Sequence, residues 1–373
     1  MEDVKVEYKV TTTINQDMKD AVLNVLESGK FSLGWEGLNF EREFTKMYGI
    51  KHAITLNSGT SGLISAMTAM NLGPGDEVIL SPFTFWGAVD VIMNVGATPV
   101  FVEPIPETFN IDPTKIEAAI TSKTKAIEPV HMYGQPCDMD PINEIAKAHD
   151  LSVIEDACHA CGAKYKGRYT GSIGDAGSFS FSSKNITCGG EGGMAVTNDT
   201  EIYEGMRSLR YLGTTGTYAE GTRSFDSSTV GYNFRMPEIS AAIGRRQLKE
   251  LPKWHALRNK NAKLYGELLE DIPEVQSPVV LDDCEHAYLH YVVKAKKRDD
   301  LKEYLTKQGI VVKRIYAWAI HLGTVYRKQF GYKEGDFPIT EQLITENLGL
   351  PVQPFLKEEQ IQYVVDAIRK FYK

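Results

Sequence analysis

Between residues 52 and 197 the chain repeats one pattern: a short apolar run, a turn of small or acidic residues, then a stretch with helical spacing. That alternation limits the fold more than any other feature, because strands separated by helical crossovers pair in parallel. Strands are expected at 52–56, 77–80, 97–102, 125–130, 151–155, 178–181 and 194–197, with helices at 63–70 and 141–148 among them. Ahead of the repeat, Asn15 is placed to cap a helix in which Met18, Ala21, Val22, Val25 and Leu26 have a spacing that suits one face, and Gly29 is placed to end it. Near Gly231 the pattern turns helical, with helices expected at 237–251 and 252–269, the second opened by Pro252. Strands at 288–294 and 311–315 and a helix at 357–371 complete a smaller α+β lobe. The expected partition is a large α/β domain over 1–245 and a small domain over 246–373.

The 373 residues are long enough for two cores, and 42% hydrophobic against 24% charged residues excludes a disordered or collagen-like chain. With 41 basic and 49 acidic residues the formal net charge is −8, which argues against nucleic acid or an anionic membrane as the main partner. No apolar run approaches the ~20 residues of a membrane span. The acidic start Met1-Glu2-Asp3 has no apolar core of a signal peptide, so a soluble, cytoplasmic protein is expected. Five cysteines, an odd and sparse set, do not suggest a disulfide framework. Cys158 and Cys161 form a single Cys-x-x-Cys with no second pair at zinc spacing, so they read as small packing residues and no metal is expected.

Three segments carry candidate chemistry. Ser58-Gly59-Thr60-Ser61-Gly62 lies between a strand and a helix, where free N–H groups, a close-approach glycine and hydroxyls make a phosphate cradle. Any strand-to-helix turn of small residues looks similar, and the segment is neither a dinucleotide fingerprint nor a P-loop. Val153-Ile154-Glu155-Asp156 is an apolar strand ending in two acids, with His159 three residues on. Ligands of parallel sheets bind beyond such strand ends, although acids also decorate ordinary helix starts. Lys184 stands between the strand around Phe179-Ser180-Phe181 and the glycine-rich stretch Gly189–Gly193, 28 positions after Asp156. A desolvated lysine there is a nucleophilic amine, and a solvated loop lysine is the plain alternative. Together, a phosphate cradle, a strand-end carboxylate and a later lysine are the parts that pyridoxal phosphate requires: an amine to hold it and an acid to keep its ring nitrogen protonated.

Ordered motifs over nearly the whole chain then carry a resemblance. They are residues 40–44, Asn57-Ser-Gly-Thr, Gly73-Pro-Gly-Asp-Glu-Val, Val130-His-Met-Tyr-Gly-Gln-Pro, Asp138-Met-Asp, Glu155-Asp-Ala, Phe179-Ser-Phe, Lys184-Asn, Glu191-Gly-Gly, Gly231-Tyr-Asn-Phe-Arg and Tyr316 to His321. The sequence resembles the DegT/StrS-type sugar aminotransferases, a fold type I family dependent on pyridoxal 5′-phosphate. The resemblance implies a mostly parallel seven-stranded sheet between helices, with a smaller C-terminal α+β domain. It implies that Lys184 carries the cofactor and shuttles a proton, and that Asp156 pairs with the ring nitrogen. His159 would lie near the phenolic oxygen, and Phe85 would stack on the ring with Trp86 as a rival. Gly59, Thr60, Ser61 and Ser180 would hold the phosphate. Asn233 would reach it from a second subunit, making a homodimer with shared sites. Arg235, Tyr316 and His321 would face the substrate, Arg235 as an anion contact or alternatively a structural ion-pair residue.

The sequence departs from the family in places. Only Ser182 and Ser183 separate Phe181 from Lys184 where three residues are usual, and a glycine is gained at Gly189-Gly190. Asn185 would occupy the lysine position without a gap, but an amide cannot form an imine, so Lys184 is assigned. Cys161 and Ala319 replace the family's histidine and proline. The activity implied is amino transfer from glutamate or glutamine to a nucleotide-linked keto-deoxy sugar by a ping-pong mechanism. The alternatives are a keto-cyclitol or aminoshikimate-type substrate, or a non-catalytic regulatory role. A C3-dehydrating relative would carry histidine in place of Lys184.

Overall fold

The computed structural model describes residues 5–9, 14–182, 185–214, 226–227 and 229–373. Helix α1 (Gln16–Ser28) opens the chain, with Asn15 accepting from Met18 N at its start and Gly29 left-handed at its end. Then come α2 (Trp35–Tyr48), β1 (His52–Leu56), α3 (Gly59–Ala69), β2 (Glu77–Leu80), α4 (Trp86–Asn94), β3 (Thr98–Phe101), β4 (Thr124–Ile127), α5 (Met139–Ala148) and β5 (Ser152–Asp156). Two short strands, β6 (Lys164–Tyr165) and β7 (Arg168–Tyr169), precede β8 (Ala176–Ser180), β9 (Gly193–Thr197) and α6 (Thr200–Arg210).

These strands form a seven-stranded sheet in the order β1-β9-β8-β5-β4-β2-β3. All neighbours run parallel except β9, which is antiparallel to both β1 and β8. The sheet is covered on both faces, which is why its strands are runs of apolar residues and not strict alternations. On one face Val78, Leu80, Ala126 and Ile154 pack with Leu63 and Met67 of α3 and Val89 and Ile92 of α4. On the other, Ile79, Ile127 and Val153 meet Met139 and Ile142 of α5. Phe40 and Phe44 of α2 fill the space beside Phe179 and Val196.

The C-terminal half comprises α7 (Glu238–Leu269), β10 (Val275–Gln276), β11 (Cys284–Glu285), β12 (Tyr291–Ala295), α8 (Arg298–Lys307), α9 (Thr324–Phe330), α10 (Pro338–Glu346), β13 (Asn347–Leu350) and α11 (Glu358–Tyr372). Strands β10, β12 and β13 form an antiparallel sheet, and a separate core joins it to α8, α11, the end of α7 and Val6.

Two expected elements differ. The helix break at Pro252 is absent: α7 runs unbroken through it for 32 residues. An interior proline costs ~3 kcal/mol, but burial of Leu248 and Leu251 before it and Trp254 after it offsets that at ~1.5–3 kcal/mol per side chain. The position 245/246 falls inside this helix. Residues 311–315 form no strand: Lys313 makes a single antiparallel bridge to Gly349, while Val311 N donates to Val6 O. The following segment turns back, and Tyr316, Ile320, Tyr326 and Leu343 join the core of the large sheet.

Candidate active site

Asp156 ends β5, and the two adjacent acids divide between the two faces of the sheet. Glu155 points to the α5 face and is fully buried. Its carboxylate accepts from Gly171 N at 2.7 Å, Ile173 N at 2.6 Å, Gly174 N at 2.6 Å and His131 Nε2 at 2.8 Å. Cys137 N donates to His131 Nδ1 at 3.0 Å, so the ring carries its proton on Nε2 and donates it to Glu155. Glu155 is therefore a structural anchor that ties the 171–174 loop beneath the sheet. Asp156 points the other way. Cys158 N donates to its Oδ1 at 2.9 Å, and its carboxylate lines a cavity of about 270 Å³.

The turn after β1 forms the opposite wall. Ser58 caps α3, its Oγ accepting from Ser61 N at 3.1 Å, which leaves the N–H groups of Gly59 and Thr60 at the helix mouth. A side chain on Gly59 would collide with Cys158 Sγ and lie 3.0 Å from Ser180 Cβ. At Gly87 it would lie 3.3 Å from both Phe85 and Thr60 Oγ1. At both places neighbouring side chains pack too closely on the backbone to leave room for a Cβ without displacement. Phe85 caps α4 and is 54% exposed along the cavity, while Trp86 turns away and stacks on Tyr326 at 6.2 Å.

Tyr316 closes the remaining side. Its ring lies parallel to those of His159 at 6.4 Å and Tyr133 at 5.8 Å. Burial above all, then the charges of Asp156 and Cys158, pushes its hydroxyl pKa well above the phenol range, so it stays a neutral donor. Among the described residues that hydroxyl has no hydrogen-bond partner.

The structure thus gathers Gly59, Thr60, Phe85, Asp156, His159, Ser180 and Tyr316 around one cavity. Other residues named in the sequence lie elsewhere. Ser61 Oγ donates to Asn57 Oδ1 at 2.5 Å and faces the turn, not the cavity. His321 is fully buried, bonded to Glu341 Oε1 at 2.9 Å and packed on Phe337. Arg235 lays its guanidinium over the Tyr211 ring at 4.6 Å. Asn233 is exposed, in an antiparallel bridge with Tyr211. Lys184 lies outside the described residues. Beside it in the chain, Asn185 is buried and donates to Cys161 O at 3.4 Å and Ala287 O at 3.3 Å. Cys161 is buried against Tyr48, and burial lifts its thiol to about 12, which suits packing and not nucleophilic use.

Sequence reasoning overlooked several groups. Ser182 and Glu191 also line the cavity, as does Ser58, which the sequence placed in the cradle segment without a role of its own and which caps α3. Glu128, just after β4, is fully buried with no hydrogen-bond partner for either carboxylate oxygen among the described residues. Burial first, and the charge of Asp156 second, raises its pKa well above the carboxylate range, so it is a neutral acid.

The profile of the DegT/DnrJ/EryC1/StrS aminotransferase family matches residues 12–369. The chain belongs to this family. As a DegT/StrS-family member it is an enzyme of the aminotransferase class. It is 41% identical over 365 residues to the pleiotropic regulatory protein of Geobacillus stearothermophilus, covering 96% of each chain. To the dTDP-3-amino-3,4,6-trideoxy-alpha-D-glucose transaminase of Streptomyces venezuelae it is 36% identical, covering 99% of this chain and 95% of that one. The crystal structure of S. venezuelae DesV in complex with a ketimine intermediate superposes with a TM-score of 0.91 at 36% identity, over 95% of this chain and 94% of that one. No helix among the described residues is long and apolar enough to cross a membrane.

Proposed function

We propose that this family member is a pyridoxal 5′-phosphate-dependent sugar aminotransferase, moving an amino group from glutamate or glutamine to a nucleotide-linked keto-deoxy sugar. The observation that carries the reading is the buried carboxylate of Asp156 at a strand end, across one cavity from the mouth of α3. The sugar class is supported by the relatedness to the Streptomyces venezuelae transaminase.

The residues present fit the cofactor. The N–H groups of Gly59 and Thr60 and the hydroxyls of Thr60 and Ser180 would hold its phosphate, which the positive end of α3 favours. Phe85 would cover one face of the ring, and the Asp156 carboxylate would accept a hydrogen bond from the protonated ring nitrogen. When bound, pyridoxal phosphate supplies a carbonyl that exchanges amines and a cationic ring that draws electrons from the bond being broken.

The chain's own groups do the rest. The Cys158 N–H holds Asp156 Oδ1 in register with the cavity. Lys184, assigned from the sequence, would move the proton at its Nζ, as base and then as acid. Tyr316, a neutral hydroxyl, is suited to orient a sugar oxygen, and Arg235 to meet an anionic group. Asn233 and the exposed apolar side chains of Phe31, Trp35 and Leu38 suit a second copy of the chain, giving a homodimer with shared sites.

The test starts with purified protein and added pyridoxal 5′-phosphate. A yellow protein, bleached by borohydride with the label on Lys184, is expected. Glutamate alone should then discharge the colour and release one equivalent of 2-oxoglutarate, as a ping-pong cycle requires. Keto acid formed only when the sugar is also present would refute the ping-pong order. A chain that never takes up the cofactor would be left with a non-catalytic role.

A further inference from the structure

Glu128 has no place in the site as described, yet its position is well defined. The pairings of Val78 with Ala126, Ile79 with Ile127, and Ile127 with Val153, extended by one residue, set Glu128 between Leu80 on β2 and Ile154 on β5. Its N–H donates to Ile79 O at 2.8 Å, continuing the ladder. One step along the same face, Val130 pairs with Asp156 in a parallel bridge, and both line the cavity. Glu128 therefore lies diagonal to Asp156, beside Ile154 and one step beneath the cavity on the same face of the sheet.

That layer is apolar but for the buried hydroxyl of Ser65, which has no hydrogen-bond partner among the described residues. Leu80 and Ile154 are fully buried. The helices over this face contribute Leu63, Ser65 and Met67 from α3 and Ala88 and Ile92 from α4, none of them titratable. On the cavity side the titratable groups around the pair, among the described residues, are Cys158, His159, Glu191 and Tyr316. Two carboxyl groups so placed share one proton more cheaply than they ionise together. Asp156 has a backbone donor and opens to the cavity, whereas Glu128 has neither. The proton belongs on Glu128. An apolar side chain would pack there without an unpaired carboxyl, so the acid weakens the fold where it stands.

We infer that Glu128 is a positioning residue for the ring-nitrogen contact: a neutral acid whose O–H dipole, diagonal to Asp156, keeps that carboxylate ionised as the pH falls. The inference rests on Asp156 as the partner of the ring nitrogen. An apolar residue at 128 leaves Asp156 against a dry layer, raises its proton affinity, and loosens the cofactor at a higher pH. A glutamine keeps an N–H donor and restores the wild-type curve.

The experiment measures the Kd of pyridoxal 5′-phosphate by absorbance, at several pH values, for wild type, Glu128→Gln and Glu128→Leu. Near about pH 5.5 the leucine variant should bind roughly tenfold more weakly than wild type and the glutamine variant within about threefold, with all three converging near about pH 8. Infrared difference spectra of wild type against Glu128→Gln, without cofactor, should contain the carbonyl band of one protonated carboxylic acid at neutral pH. If the leucine variant fails to fold, that band still tests the protonated acid on which the inference depends. A leucine variant that tracks wild type at every pH, or a missing band, overturns the inference and leaves the aminotransferase reading intact. A wild-type chain that binds no cofactor at any pH sinks both.

Discussion

Adjacent acids at the end of β5 meet opposite fates, and single substitutions should separate them. Asp156→Asn keeps the shape and removes the charge facing the cavity. Turnover should fall by roughly 10²–10³, the scale of losing one preorganised electrostatic contact, with the urea midpoint barely moved. Glu155→Gln should do the reverse. The amide has one acceptor oxygen for four donors, and its NH₂ would face backbone N–H groups. A loss of roughly 3–5 kcal/mol in urea unfolding is expected, as for a broken buried ionic network. Equal effects of the two variants on stability would refute this division.

Glu128 makes a prediction about pH that needs no cofactor. Its folded pKa is raised above the unfolded carboxylate value of about 4.3. The folded state then binds more protons than the unfolded state, so this residue's contribution to stability falls as pH rises past the unfolded pKa. Glu128→Gln has no such proton to hold. Its stability relative to wild type should grow between about pH 5 and about pH 8, read as the difference in melting temperature. A constant difference across that range would mean that Glu128 ionises normally.

At the scale of elements, most of what the sequence offered was local, and most of what it withheld was not. The strands of the large sheet were legible because each is a short apolar run bounded by turn residues. Gly59, Thr60 and Asp156 were legible as cavity residues because parallel sheets bind ligands beyond their strand ends, and Ser180 only through the family resemblance. Residues 311–315 have the composition of a strand, but their backbone partners, Val6 and Gly349, come from distant parts of the chain. His321 read as a substrate contact because, with Tyr316, it matches a family segment near the sugar, while its partner Glu341 lies on a helix 20 residues later. Glu128 read as the tail of a strand, since only the folded sheet sets it diagonal to Asp156. Pro252 read as a boundary, because local rules price a proline without knowing what the helix buries on either side. Pro252→Ala restores a backbone N–H and relieves the clash at an exposed position. It should stabilise the protein by about 1–3 kcal/mol in urea unfolding without changing cofactor affinity. A loss of stability would mean that a bend at Pro252 is needed to keep both ends of α7 in their separate cores.

For the whole molecule, the exposed face beside Asn233 matters most. Phe31, Trp35 and Leu38 are each about half exposed or more, and Glu238 N donates to Phe31 O at 3.0 Å, which holds this apolar group beside the segment that carries Asn233. Burying such a patch against a second copy is the ordinary way to remove it from water. If Asn233 of one chain serves the phosphate of the other, the two halves of a site can be supplied by different chains. Lys184→Ala and Asn233→Glu would each inactivate a homodimer, for different reasons. Mixed, unfolded and refolded together, they should form heterodimers in which one site has both wild-type residues and the other has neither. Random pairing then predicts recovery of about a quarter of wild-type activity from two inactive parents, with both at dimer mass in light scattering. Recovery can arise only if a site draws on two chains, so its absence in a mixture proven to contain heterodimers would assign Asn233 to its own subunit.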